Sequence, residues 1–144
     1  MQCLIEQQER RPLLAEPARV LLVDDDPDLL AGLSDALAFW LAPVVIDTYL
    51  NPHEALQALH ASPYRYQVIA TDLCMPKING LALIRQARRL CPHIPIVLMT
   101  AYDLAPYSGE AQGLGAYDTI CKPFDREEMI AVFRRALAQT RRDH

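Results

Sequence analysis

Four short apolar segments dominate the sequence, and each ends on a side chain that can bind phosphate or a divalent cation. The segments end, in chain order, on Asp24 with Asp25, on Asp72, on Thr100 and on Lys122. If the segments are parallel strands, their carboxyl ends meet at one edge of a sheet, where open α/β sheets hold their ligands. Three carboxylates, a hydroxyl and an ammonium group are the groups that phosphoryl transfer to a carboxylate requires. The sequence therefore predicts a phosphoryl-transfer site at this edge.

Length and charge limit what the rest of the molecule can be. With 144 residues, 51% of them hydrophobic, the chain suits one domain with an ordinary core and leaves no room for a second domain. Its net charge of -4 argues against a nucleic-acid or membrane surface, because both are polyanions that repel an acidic domain. The apolar start of the chain is interrupted at Glu6, so no signal peptide is indicated. We expect a cytoplasmic protein with protein partners.

The cysteines and histidines show no metal-binding pattern. No cysteine belongs to a CxxC motif or lies at a Cys/His spacing typical of zinc sites. In a reducing compartment all four cysteines are expected as free thiols, namely Cys3, Cys74, Cys91 and Cys121. The pattern argues against both a zinc site and a disulfide framework.

Apolar periodicity and capping residues predict five strands that alternate with five helices. The predicted strands cover residues 19–23, 44–49, 67–71, 94–99 and 117–121. The predicted helices begin at Pro27, at Pro52, near Leu81, near Pro106 and after Asp125. This alternation predicts a doubly wound α/β fold, a five-stranded parallel sheet with helices on both faces. We expect the domain over residues 18–138, between an N-terminal extension, 1–17, and a C-terminal tail, 139–144.

Two polar features are interpreted as structural rather than functional. Asp26 directly precedes Pro27, so it fits the N-cap of the first helix better than a metal ligand. In the helix near 81–90, Arg85, Arg88 and Arg89 lie opposite the apolar face and are expected to be solvated.

Four motifs occur in order, each at the end of a predicted strand. They are the acidic pair Asp24-Asp25, then Asp72-Leu-Cys-Met-Pro76 with Gly80, then Met99-Thr-Ala101, and finally Lys122-Pro-Phe124. Together they resemble the receiver domain of two-component response regulators, over about residues 18–138. The resemblance implies a flavodoxin-like fold with strand order 2-1-3-4-5.

The resemblance also implies a role for three side chains in the chemistry. Asp72 resembles the phosphoacceptor, Thr100 the switch hydroxyl, and Lys122 the ammonium group that pairs with the phosphoryl group. The charge of Lys122 near Asp72 would stabilise first the ionised carboxylate and then the phosphate.

By the same resemblance, Asp24, Asp25 and Asp72 correspond to the carboxylates that bind Mg²⁺. The backbone carbonyl of Cys74 corresponds to the oxygen that completes this shell. Neighbouring carboxylates repel one another unless a cation lies among them, and Mg²⁺ takes a few carboxylate oxygens while keeping several waters. The cluster is therefore expected to need its metal.

One position departs from the family pattern. Receivers commonly have an aromatic residue three positions before the lysine, where this chain has Thr119. Tyr117 lies on the same side of the predicted strand, but it is displaced by about 7 Å and cannot simply substitute. The readout of phosphorylation is therefore expected to differ from the usual one.

The resemblance implies a phosphoacceptor in a two-component system or phosphorelay. The phosphoryl group would come from a sensor histidine kinase or a histidine phosphotransfer protein, and the signal would pass to a downstream protein. The chain would be a single-domain response regulator or a receiver cut from a larger protein. No enzymatic activity is expected beyond Mg²⁺-dependent self-phosphorylation and dephosphorylation.

Two alternatives belong to other functional classes. A pseudo-receiver would bind its partners without phosphorylation, and two features suggest it: Thr119 in place of the aromatic residue, and the prolines and glycines that interrupt the predicted fourth helix near Pro106. A phosphatase of the haloacid dehalogenase type would need an acid two residues after the nucleophile, where this chain has Cys74. The intact set of acidic residues argues against the first alternative, and Cys74 argues against the second.

Overall fold

The computed structural model of the protein describes residues 17–72, 80–101, 115 and 117–143. The strands are β1 (Ala18–Val23), β2 (Val44–Tyr49), β3 (Val68–Asp72), β4 (Ile96–Ala101) and β5 (Asp118–Lys122). The helices in the described residues are α1 (Pro27–Trp40), α2 (Pro52–Ala61), α3 (Gly80–Leu90) and α4 (Arg126–Asp143). The predicted alternation of strands and helices is confirmed over these elements.

The five strands form one parallel sheet in the order β2-β1-β3-β4-β5, as the resemblance implied. The strand β4 begins two residues later than predicted. The amide of Ile94 donates to the carbonyl of Cys91 (N···O 3.4 Å) and closes a turn, so the strand starts only after Pro95. The strands β3 and β5 extend one residue further than predicted, which makes Asp72 and Lys122 their last residues.

Two apolar layers cover the sheet, one on each face. On one face, Leu33 and Leu37 of α1 and Phe133 of α4 belong to one cluster with the sheet. On the other face, Leu59 of α2 and Ile84 of α3 belong to a second cluster. Because helices cover both faces of the sheet, most side chains of β1, β3 and β4 are buried on either side of it, and most of these are apolar. The buried polar residues come at the ends of these strands.

Some predicted segments lie outside the described residues, and one boundary differs. The predicted helix near Pro106 and all but the last residue of the N-terminal extension, 1–17, lie outside them. The helix α4 continues to Asp143 and so runs into the segment predicted as a tail, 139–144.

The prediction that Arg88 is solvated is wrong. Arg85 and Arg89 are exposed, but the guanidinium of Arg88 is half-buried. Its Nη1 donates to the carbonyls of Ile94 (2.7 Å), Pro92 (3.0 Å) and Cys91 (3.5 Å), and its Nη2 donates to that of Gly115 (2.7 Å).

The same guanidinium restricts the residue at position 115. Gly115 has a φ of +91°, and a Cβ added there would lie 3.3 Å from Nε of Arg88. Both the backbone conformation and the close approach therefore favour glycine. Arg88 joins the end of α3 to the turn before β4 and to the backbone that leads into β5.

Replacing Arg88 with methionine is expected to lower the free energy of unfolding by about 2 kcal/mol, because several carbonyls lose a charged donor. The matched variant Arg85→Met, on the same helix but exposed, should change it by less than about 0.5 kcal/mol. Urea unfolding of both variants measures the difference. Equal effects at the two positions would contradict the structural role of Arg88.

Candidate functional site

The sheet register brings the predicted polar side chains to one edge. Val23 pairs with Thr71, so Asp24 and Asp72 follow at the ends of neighbouring strands. Asp72 pairs with Met99, and Ala101 pairs with Lys122, which adds the ends of β4 and β5 to the same edge. The predicted convergence of strand ends is therefore confirmed.

Asp24 is fully buried, and both of its carboxylate oxygens have partners. Oδ1 accepts a hydrogen bond from the amide of Asp26 at 3.0 Å. Oδ2 accepts from Nζ of Lys122 at 2.7 Å, in an ion pair between the first and last strands of the sequence. The amide of Asp24 donates to the carbonyl of Tyr49 (3.2 Å). Two contacts thus hold the carboxylate of Asp24, and a third contact holds its backbone.

Lys122 contacts two carboxylates. Its Nζ lies 2.7 Å from Asp24 Oδ2 and 3.4 Å from Asp72 Oδ2. Burial by itself lowers the pKa of Lys122, but the hydrogen bond to Asp24 and the charges of Asp72 and Asp24 outweigh it, so the pKa lies above its ordinary value. Lys122 was predicted near Asp72, which is confirmed, whereas its shorter contact with Asp24 was missed.

The three carboxylates form a cluster that fits a divalent cation. Asp24, Asp25 and Asp72 each offer one oxygen, and these oxygens lie within 4.8 Å of one another. Mg²⁺ takes a few carboxylate oxygens and keeps several waters, so these oxygens together with water could supply its ligands. Asp25 is exposed and leaves the cluster accessible. Among the described residues, the ammonium group at the cluster is that of Lys122, which offsets only part of the charge of three carboxylates. These residues could hold a metal ion.

Two hydroxyl groups lie at the ends of the central strands. Thr100 is fully buried near the end of β4, one residue beyond Met99, the partner of Asp72 in the register. The hydroxyl of Thr71, which the sequence did not single out, donates to the backbone carbonyl of Asp72 at 3.0 Å. The backbone of Asp72 is thus fixed by a neighbouring side chain, while its carboxylate faces Lys122. Cys74 lies outside the described residues, so its carbonyl stays a prediction.

Asp26 is the N-cap of α1, as predicted. Its carboxylate accepts hydrogen bonds from the amides of Asp28 (3.1 Å) and Leu29 (3.2 Å). The first turn of α1 is therefore anchored directly beside the acidic cluster.

The variant Asp26→Ala is expected to lose about 1 kcal/mol of stability through the missing cap and to keep its response to Mg²⁺. The variant Asp25→Ala should instead keep its stability without metal and lose its response to Mg²⁺, because it lacks a carboxylate of the cluster. Thermal unfolding with and without Mg²⁺ separates the two effects. Loss of the Mg²⁺ response in Asp26→Ala would instead make that carboxylate a ligand.

Thr119 and Tyr117 occupy different environments. The hydroxyl oxygen of Thr119 is buried and makes no hydrogen bond within the part of the chain that the structure describes. The ring of Tyr117, just before β5, is 37% exposed. The partly exposed ring of Tyr117 therefore does not replace the aromatic residue that receivers commonly have at the position of Thr119.

The segment that contains these strands matches a known protein family. A family model described as the response regulator receiver domain matches residues 20–134. The chain belongs to this family. As a receiver, it is a phosphoacceptor domain of two-component signalling.

Sequence relatives of this receiver include two larger regulators. The chain is 35% identical over 119 residues to the DNA-binding transcriptional regulator NtrC of Escherichia coli, covering 83% of this chain and 24% of NtrC. It is 35% identical over 117 residues to the C4-dicarboxylate transport transcriptional regulatory protein DctD of Rhizobium meliloti, covering 81% of this chain and 25% of DctD. The receiver thus spans about a quarter of the length of these relatives.

Solved structures share the fold of this receiver. A response regulator receiver domain protein from Clostridium thermocellum superposes with a TM-score of 0.82 at 20% identity, covering 88% of this chain and 99% of that one. The chemotaxis protein CheY4 of Vibrio cholerae superposes with a TM-score of 0.75 at 27% identity, covering 85% and 100%. In the described part of the receiver, no helix has both the length and the apolar character needed to cross a membrane.

Proposed function

We propose that Asp72 is the phosphoacceptor of this receiver. The observation that carries the proposal is the position of its carboxylate, which is almost buried at a strand end and lies 3.4 Å from Lys122 within the acidic cluster. Burial keeps competing water away, and the ammonium group favours the ionised, nucleophilic carboxylate.

In the proposed reaction, an oxygen of Asp72 forms a bond to phosphorus while the bond from phosphorus to the donor group breaks. Lys122 is placed to pair with the transferred group, and Thr100 supplies a hydroxyl at the end of the next strand. Asp24, Asp25, Asp72 and the backbone carbonyl of Cys74 would hold Mg²⁺, which, when bound, neutralises charge on the phosphoryl oxygens. The residues of the chain then position the acceptor and exclude water.

The proposed donor is a phosphohistidine on a sensor kinase or phosphotransfer protein, and the proposed output is an altered affinity for a downstream protein. The aspartyl phosphate is formed and hydrolysed on Asp72 itself, so we propose no turnover of a separate substrate. The net charge of -4 supports protein partners over nucleic acid or a membrane surface. The proposed location is cytoplasmic, where a sensor kinase would transfer its phosphoryl group.

Incubation with a small phosphodonor such as acetyl phosphate should add one phosphoryl group in the presence of Mg²⁺ and none in the presence of EDTA. Intact-mass measurement at several times gives the result directly. Absence of any uptake with Mg²⁺, together with an unchanged thermal midpoint on adding beryllofluoride, would instead support the pseudo-receiver alternative.

A further inference from the structure

A groove between α2 and α3 lies outside the phosphorylation site. It has a volume of about 540 Å³. Its polar lining comes from His53, Gln57 and His60 on one face of α2 and from Gln86 and Arg89 on α3. The spacing of these residues is three or four along each helix, so each set forms a single row. All five side chains are exposed at the rim of the groove.

The apolar part of the groove is formed by Leu56 and Leu90. Both side chains are half-buried and also pack against the core cluster beneath them. A ligand in the groove would therefore contact apolar surface at its base and nitrogen donors at its rim. Cavities of about 300 to 1,000 Å³ with this combination are typical of sites for small molecules.

The charge of the groove is unlike that of the chain as a whole. The chain has a net charge of -4, yet none of the described residues that line the groove is acidic. The helix α3 carries three arginines and no acid, and the single acid of α2, Glu54, is not among the lining residues. Arg89 supplies one permanent positive charge, which matches a monoanion.

A metal ion does not fit this set of side chains. His53 and His60 are seven residues apart on one helix, which separates their backbones by about 10 Å. Among the described residues, the cluster of three potential metal ligands is Asp24, Asp25 and Asp72, whereas the lining of the groove offers these two imidazoles and no carboxylate or thiol. The donors of the rim instead suit an anion that spans several of them.

We propose that this groove binds a small organic carboxylate with an apolar body. The carboxylate pairs with the guanidinium of Arg89, and the amides of Gln57 and Gln86 offer further N–H donors. The apolar body lies against Leu56 and Leu90. The groove shares no residue with the acidic cluster, so binding would give the receiver an input that is independent of Asp72.

The probe for this site is 1-naphthoate, added to the full chain without Mg²⁺ or phosphodonor and followed by amide chemical shifts. Saturable shifts are expected in residues 53–61 and 86–90. Acetate, which lacks the apolar body, and 1-naphthalenemethanol, which lacks the charge, should both bind more weakly. Equal binding of the alcohol would overturn the proposal, since it would show an apolar cavity without an anion site.

Two exposed arginines of α3 provide matched variants. Arg89→Gln should weaken the binding of 1-naphthoate by about tenfold or more, whereas Arg85→Gln should change it by less than about twofold. Exposed positions tolerate such changes, so both variants are expected to fold. Unchanged affinity in Arg89→Gln, or shifts that map away from the two helices, would refute the assignment. These binding measurements do not involve phosphorylation. Their outcome therefore neither supports nor contradicts the proposed role of Asp72, which the phosphodonor experiment tests separately.

Discussion

The variant Asp72→Asn is expected to take up no phosphoryl group from a small phosphodonor in the presence of Mg²⁺. An asparagine amide is not a nucleophile under these conditions, and it keeps the size and shape of the carboxylate. The fold should therefore survive, since the side chain of Asp72 stays at the same strand end. Intact-mass measurement of the variant beside the wild type gives the comparison.

The matched control for this prediction is Asp118→Asn. Asp118 lies on β5 outside the acidic cluster, where its carboxylate forms a partly exposed ion pair with Arg135 at 3.4 Å. Its uptake of phosphate should equal that of the wild type. Undiminished uptake in Asp72→Asn would move the acceptor to another residue.

Replacing Lys122 with methionine is expected to lower the free energy of unfolding by about 3 kcal/mol in EDTA. The substitution leaves Asp24 fully buried without the ammonium group that lies 2.7 Å away, and an unpaired buried charge is strongly destabilising. Millimolar Mg²⁺ should restore a larger part of the stability in this variant than it adds to the wild type, because the cation replaces the missing positive charge. Urea unfolding in EDTA and in Mg²⁺ measures both effects.

The control for Lys122 is an exposed ion pair that joins the same strand, β5, to the helix α4. Arg135→Met removes the partner of Asp118, yet it should cost less than about 0.5 kcal/mol, because solvent screens that pair. If Lys122→Met were as stable as the wild type in EDTA, the ammonium group would not be the counter-charge of the cluster. Lack of any rescue by Mg²⁺ would show that the carboxylates do not bind the metal.

Arg88 shows the limit of reasoning from helical periodicity. Its place on the polar face of α3 is the same as that of Arg85 and Arg89, so the pattern treats the three alike. Only Arg88 meets the carbonyls of the turn before β4 and of Gly115, which lies 27 positions away. A long side chain at the end of a helix finds its partners through neighbouring loops, and the periodicity of one helix contains no information about them.

The alternation of strands and helices, and the edge of the sheet at which the polar residues meet, could both be predicted from local sequence patterns. Apolar runs that stop on Asp24, Asp72, Thr100 and Lys122 are local patterns, and a parallel sheet necessarily brings such ends together. The N-cap role of Asp26 is local for the same reason, since its acceptor bonds reach only two and three residues ahead.

Which charged groups pair at that edge depends on the tertiary structure. Lys122 and Asp24 are 98 positions apart, and β3 and β4 lie between the strands that carry them. They meet because both strands end at the same edge of the sheet and the long lysine side chain brings its Nζ to 2.7 Å from a buried oxygen of Asp24. Strand endings predict that groups converge, but the order of the strands and the length of each side chain determine which atoms touch. The sequence therefore could not show that Lys122 lies nearer to Asp24 (2.7 Å) than to Asp72 (3.4 Å).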